Sequence, residues 1–238
     1  FAGFAGLLFL SFYAPLGHIV ADPILILWML SPAIAWFISR PLVKPLSNLT
    51  EQQTIFLRKI ARKTWAYFEK FVTADDNWLP PDNFQEHPVE RIAHRTSPTN
   101  IGLSLLSNLA AVDFGYITYN QFLDRTSNSF ATLQNMETYR GHFYNWYDTL
   151  TTDPLPPRYI STVDSGNLAG MLLTLRQGII AIPDQPIIGS QLFDGLYDTL
   201  LILKDEQKKT EDIQSFQKNL DAIRNLHPIT LSALKPLV

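Results

Sequence analysis

The chain has 238 residues and no Cys, which excludes disulfide scaffolds, thiolate metal sites and Cys nucleophiles. Apolar residues make up 46% and charged residues 17%, so the sequence is not a disordered tail and has material for a core. A formal net charge of -3 lacks the basic excess of a general nucleic-acid binder, and no nucleic-acid partner is expected.

Residues 1 to 21 contain no Asp, Glu, Lys or Arg, and after Asp22 residues 23 to 39 are again free of them. Crossing a hydrocarbon core takes about 20 apolar residues. A transmembrane hairpin is therefore predicted within residues 1 to 45, with a turn at Ala21-Asp22-Pro23 next to His18. Pro15, Gly17, Pro23 and Pro32 are expected to kink it, as membrane helices tolerate. The chain opens inside an apolar run without an initiator Met, and it reads as a fragment of a longer protein. Trp36 close to Arg40 suits an interfacial anchor. The cations Arg40, Lys44, Arg58, Lys59, Arg62 and Lys63 follow, with only Glu51 against them. The positive-inside rule then places everything after about residue 40 in the cytoplasm.

The remainder, residues 46 to 238, is predicted all-α. Apolar residues at 57, 60, 61, 65, 68 and 71 give a helix that starts near Thr50. Ser97 followed by Pro98, with Gly115 beyond the last apolar position, bounds a second helix. A third is predicted from Thr118 to Thr138, and a fourth from Asp164, as its cap, to Ile182 before Pro183. Two more are expected near 188 to 203 and 209 to 226, and no stretch alternates with the period of a strand. The connections run long, short, long, at about 73 to 96, 115 to 117 and 140 to 163, which puts both long loops at one end. That order suits half of an (α/α)6-toroid, and a plain helical bundle equally.

The long loops bring together Trp78, Asp82, Asn83, Gln85, His94, Arg95, Asn100, His142, Tyr144, Asn145, Trp146, Tyr147, Asp148, Asp164, Ser165 and Asn167. Flat rings cover the C–H faces of sugars, while carboxylates and amides take paired hydrogen bonds from vicinal hydroxyls. Pro80, Pro81, Pro154, Pro156 and Pro157 stiffen the loops that carry them. Simpler roles fit the same residues: Asp164 as a cap, Phe143 and Trp146 as loop anchors, His94 or Arg95 paired with Asp82, Asp75 and Asp76 as a solvated turn. No metal-ligand spacing or nucleophile elbow occurs, so no metal is expected.

RKTWAYFEKFV, NWLPPDNFQ, HRTSPTNIGLSLLS, GHFYNWYDT and STVDSGNLAG, preceded by SPAIAWFISRP, closely resemble a run in the cyclic β-1,2-glucan synthases. The resemblance covers about residues 25 to 178 and is less distinct beyond about 180. It implies a bacterial inner-membrane enzyme that polymerises glucose from UDP-glucose, then closes the β-1,2-glucan by transglycosylation in a middle α/α-toroid region. UDP-glucose and a divalent metal belong to an upstream glycosyltransferase module, so neither cofactor is expected here. The catalytic Glu pair of the cyclising region is expected downstream of Val238. What carries over is substrate binding at Trp78, Asp82, Asn83, Gln85, His94, Arg95, Asn100, His142, Asn145, Trp146, Tyr147, Asp148, Asp164, Ser165 and Asn167. Asp82, Asp148 and Asp164 are the only catalytic candidates within the chain. The expected partners are β-1,2-glucan, membrane lipid and the other domains of the parent polypeptide. Two further classes suit these residues: a membrane-anchored, non-catalytic glucan-binding scaffold, and a helical protein whose loops dock a partner domain.

Overall fold

The computed structural model describes residues 18–40, 49–186, 188–206 and 211–226, together with 5, 6, 9 and 12. The chain divides into two compact units, residues 1–49 and 50–238. Among the described residues there are seven α-helices and six strands of two residues each, which bears out the all-α class.

The first unit contains α1 (His18–Ile38), with Pro23 and Pro32 in its interior. The helix runs through Ala21-Asp22-Pro23, so the turn expected there does not occur. Proline holds φ at a helical value and forfeits one backbone hydrogen bond, a loss that a long apolar helix can carry. Most of the first expected segment lies outside the described residues. Ala21–Ile38 has a mean hydropathy of 1.7 over 18 residues, none of them buried, so by length and composition it can cross a membrane. Near its end the Arg40 guanidinium lies 3.7 Å from the centre of the Trp36 ring.

In the second unit, helix starts follow local capping chemistry. Ahead of α2 (Glu51–Phe71), the Thr50 hydroxyl accepts from Gln53 N at 3.3 Å, and the Gln53 side chain accepts from Thr50 N at 2.9 Å. For α3 (Pro98–Asp113) the cap is Ser97, as expected, with Pro98 at the first helical position and Gly115 past the end at φ +74°. Thr118 and Gln121 form the same reciprocal box before α4 (Tyr119–Asn135). That helix ends short of Thr138 because residues 138–143 fold into a small hairpin. The cap of α5 (Thr162–Ala181) is Ser161, whose hydroxyl accepts from Asp164 N at 3.1 Å. Asp164, expected from the sequence to be the cap, instead sits in the first turn, which leaves its carboxylate for another partner. Two further helices, α6 (Ser190–Glu206) and α7 (Glu211–Leu226), complete the described set.

Helices α3 and α5 pack side by side in the same direction: Thr99 meets Asp164, Gly102 lies under Met171, and Leu109 fills the space at Gly178. Their shared core includes Trp65, Leu79, Ile101, Leu105, Phe122, Leu133, Leu168 and Leu175. Helix α6 packs on α2, where Arg58 pairs with Asp198 at 2.9 Å and Lys59 with Asp205 at 2.7 Å. Phe193, Leu200 and Leu220 form a second core between α6 and α7. The strands are β1 (Phe84–Gln85) with β2 (Arg91–Ile92), β4 (Thr138–Tyr139) with β5 (His142–Phe143), and β3 (Arg95–Thr96) with β6 (Tyr147–Asp148), all antiparallel. Pairs this short have no alternation for a sequence reading to find.

Candidate functional site

The two long loops, 72–97 and 136–161, are joined directly to each other. β3 and β6 pair in the register Arg95↔Asp148 and Thr96↔Tyr147. Thr149 N donates to His94 O at 3.1 Å, and the Asn77 amide donates to the carbonyls of Thr149 and Leu150, both at 2.9 Å. Beneath this seam Asp76 is buried. Its carboxylate accepts from the Thr149 hydroxyl and lies 2.7 Å from His94 Nδ1. Of the two acids expected in a solvated turn, only Asp75 is exposed. A buried carboxylate requires hydrogen-bonding partners, and the second loop supplies one of them. His94 therefore pairs with Asp76 rather than Asp82.

Above the seam, the first turn of α3 gathers two carboxylates. Asp82 accepts from Arg95 Nη2 at 2.9 Å, Arg95 Nε at 3.2 Å and the amides of Asn100 and Asn83, both at 3.2 Å. One position before Asn100, the Thr99 hydroxyl donates to Asp164 Oδ1 at 2.7 Å and accepts from the Asn167 amide at 3.1 Å. Arg95, from the first loop, places its guanidinium 4.8 Å from the centre of the Trp146 ring on the second. Burial pushes the Asp164 pKa up, but hydrogen bonds involving Ser161 and Thr99 outweigh it and hold the carboxyl below its ordinary value.

The remaining candidates are distributed around this rim. Gln85 donates to Val89 O at 3.3 Å within its own hairpin, and His142 is exposed on β5. The Asp148 carboxylate accepts from Leu150 N at 2.8 Å and Thr151 N at 3.0 Å, so it stabilises a turn. Ser165 Oγ is buried without a protein partner. Trp78 sits lower, at the loop base, where its ring is 5.9 Å from the Arg125 guanidinium and its carbonyl accepts from Ser129 Oγ at 2.9 Å. Two candidates, Tyr147 and Asn145, are buried and hydrogen-bonded within the protein. Tyr147 has 0% exposure, its hydroxyl donates to Glu137 O and accepts from Tyr144 N, both at 2.7 Å, and burial pushes its pKa up to about 12. Asn145 is 6% exposed and has its amide consumed internally. Val238, the position beyond which the catalytic pair is expected, lies outside the described residues, so the structure gives no geometry for that pair. Among the described residues, no three His, Asp or Glu side chains converge as metal ligands.

Sequence reading passes over Thr99, Asp76, Thr149 and Tyr159 as parts of the rim. Thr99 lies inside the motif TSPTN and could have been found from its place in the first turn of α3. The partnership of Asp76 with Thr149 spans 73 positions and leaves no local signal.

No family model matches the sequence. A crystal structure of a Bacteroides fragilis NCTC 9343 protein described as a glucoamylase superposes on 56% of this chain and 33% of its own, with a TM-score of 0.44 and 20% identity. The cyclic beta-(1,2)-glucan synthase NdvB of Rhizobium meliloti (strain 1021) is 42% identical across 85% of this chain, which spans 8% of that much longer protein. The resemblance carried by the two loops and the helix starts after them is therefore established: the chain is similar, over most of its length, to one segment of a cyclic β-(1,2)-glucan synthase.

Proposed function

We propose that this chain is a glucan-handling segment of a membrane-bound cyclic β-1,2-glucan synthase, and that the rim where its two long loops join binds the glucan. The carrying observation is the joined seam itself: Trp146 comes from one loop, Arg95 and Asp82 from the other, and Asp164 lies on the adjoining helix start. A ring beside carboxylates and exposed amides is a surface for the C–H face and hydroxyls of a pyranose. The helices form part of an α/α-toroid, for which the parallel neighbours α3 and α5, linked through α4, are the supporting geometry. α1 anchors the segment in the bacterial inner membrane, with residues after about 40 on the cytoplasmic side. Other parts of the parent supply UDP-glucose chemistry, metal and, downstream of Val238, the transglycosylating carboxylates.

Within that reading the chain's own acids bind and orient rather than catalyse. Asp164, held below the ordinary range, does not suit a general acid, and both oxygens that a nucleophile would use already accept hydrogen bonds, from Thr99 and Asn145. Asp82 is committed to Arg95 and Asn100, and Asp148 to its turn. This also favours a non-catalytic scaffold that guides glucan between other active sites. Calorimetric titration of the purified chain with linear β-1,2-glucan tests the proposal. Saturable binding, weakened by Asp82→Ala and left intact by Gln185→Ala, is the expected result; a wild-type chain that takes up no glucan overturns it.

A further inference from the structure

We infer that Asn145 and Tyr159 are positioning residues that fix the tilt of Trp146, making it a stacking platform for the C–H face of a neutral pyranose and nothing else; this rests on the glucan reading above. An indole N–H can only donate, so the Asn145 atom 2.7 Å from Trp146 Nε1 is the acceptor Oδ1. The same oxygen accepts from the Tyr159 hydroxyl at 2.7 Å, and Asn145 Nδ2 then donates to Asp164 Oδ2 at 3.1 Å. Asp164 Oδ1 takes the Thr99 hydroxyl at 2.7 Å. One connected run of hydrogen bonds thus links the indole edge to the first turns of both α5 and α3. The backbone repeats the connection: Asn145 N donates to Tyr159 O at 2.9 Å and Leu155 N to Trp146 O at 2.8 Å.

The chemical consequence is a restriction. With its only polar atom given to a buried amide and the Arg95 guanidinium over its ring, the half-buried Trp146 has only the apolar surface that Arg95 leaves uncovered to offer. Discrimination between hydroxyl patterns falls to the exposed Asn83 and Asn167 and to the edges of Asp82 and Asp164. Such a platform suits a β-linked glucosyl unit, whose equatorial hydroxyls leave its faces lined with C–H. Fixing the ring before binding spares the ordering cost that a free side chain would bring.

The test uses the full chain labelled at its indole nitrogens, with the Trp146 signal assigned from its disappearance in Trp146→Phe. Tyr159→Phe removes one donor from Asn145 and is expected to shift that indole resonance. Affinity for linear β-1,2-glucooligosaccharide should fall about fivefold, the worth of one hydrogen bond. Thr99→Val, at the far end of the run, should give a smaller change of the same kind. A Trp146 resonance that stays in place in Tyr159→Phe, or one that moves while affinity is unchanged, overturns the inference. A wild-type chain that binds no glucan while Tyr159→Phe still shifts the resonance supports the positioning run and refutes the glucan reading.

Discussion

The two ends of α3 are built on different principles. At its N-terminal end, loops from distant parts of the sequence are tied by polar side chains, and the amides of Asn83 and Asn167 are exposed near the half-buried Trp146. At its C-terminal end the backbone itself is packed. A Cβ on Gly115, at φ +74°, would overlap the Gln191 carbonyl, and one on Gly195 would overlap that of Gly115. Beside them Asp198, 1% exposed, accepts from Arg58 Nε at 2.9 Å and Tyr116 OH at 3.1 Å. Close steric fit cannot yield without loss, whereas polar ties can exchange partners with a ligand. The difference teaches that close steric fit holds the turn end, while the loop end, where glucan recognition is proposed, is held by exchangeable polar ties.

Substitutions can break that division. The largest effect is expected from Gly115→Ala, where overlap adds to left-handed strain: about 3 kcal/mol of stability lost in chemical denaturation, with glucan affinity unchanged in the molecules that remain folded. Asp198→Asn leaves Arg58 without its counter-charge. Because that guanidinium side chain keeps 29% exposure, the cost is expected near about 2 kcal/mol, again with binding preserved. Trp146→Ala should do the reverse, lowering glucan affinity about tenfold by calorimetry while the thermal midpoint moves by no more than about 3 °C.

The smallest effect sharpens the comparison through pH. Asp164 has a folded pKa below its ordinary 3.8, so the unfolded chain takes up its proton first as pH falls. Its contribution is present above that value and is lost as pH drops through the depressed one. Acid unfolding curves of Thr99→Val should therefore converge on wild type at low pH and separate above it. Parallel curves at every pH would remove Asp164 from the stabilising run.

What can be read in the sequence is what short-range chemistry decides. Thr50, Ser97-Pro98 and Gly115 bound their helices as read, because a cap needs only residues within one turn. Asp164 is not the cap it resembles, because Ser161, three residues earlier, supplies the hydroxyl that the amide needs. Its carboxylate is thereby left to Thr99, a contact no local pattern announces. Residue types at the rim are legible from rings interleaved with amides and acids. Which of them reach the surface is not: Tyr147 and Asn145 share that composition with Trp146 yet are buried by partners set in tertiary packing.

Mapping of amide chemical shifts on the full chain during titration with linear β-1,2-glucan tests the central assignment most directly. The expected result is saturable change confined to residues 82–85, 94–100, 142–148 and 164–167, with the opposite end silent. Change centred instead on the cavity of about 290 Å³ beside Gly115, Tyr119, Asn120 and Gln191 would contradict it, as would no change at all.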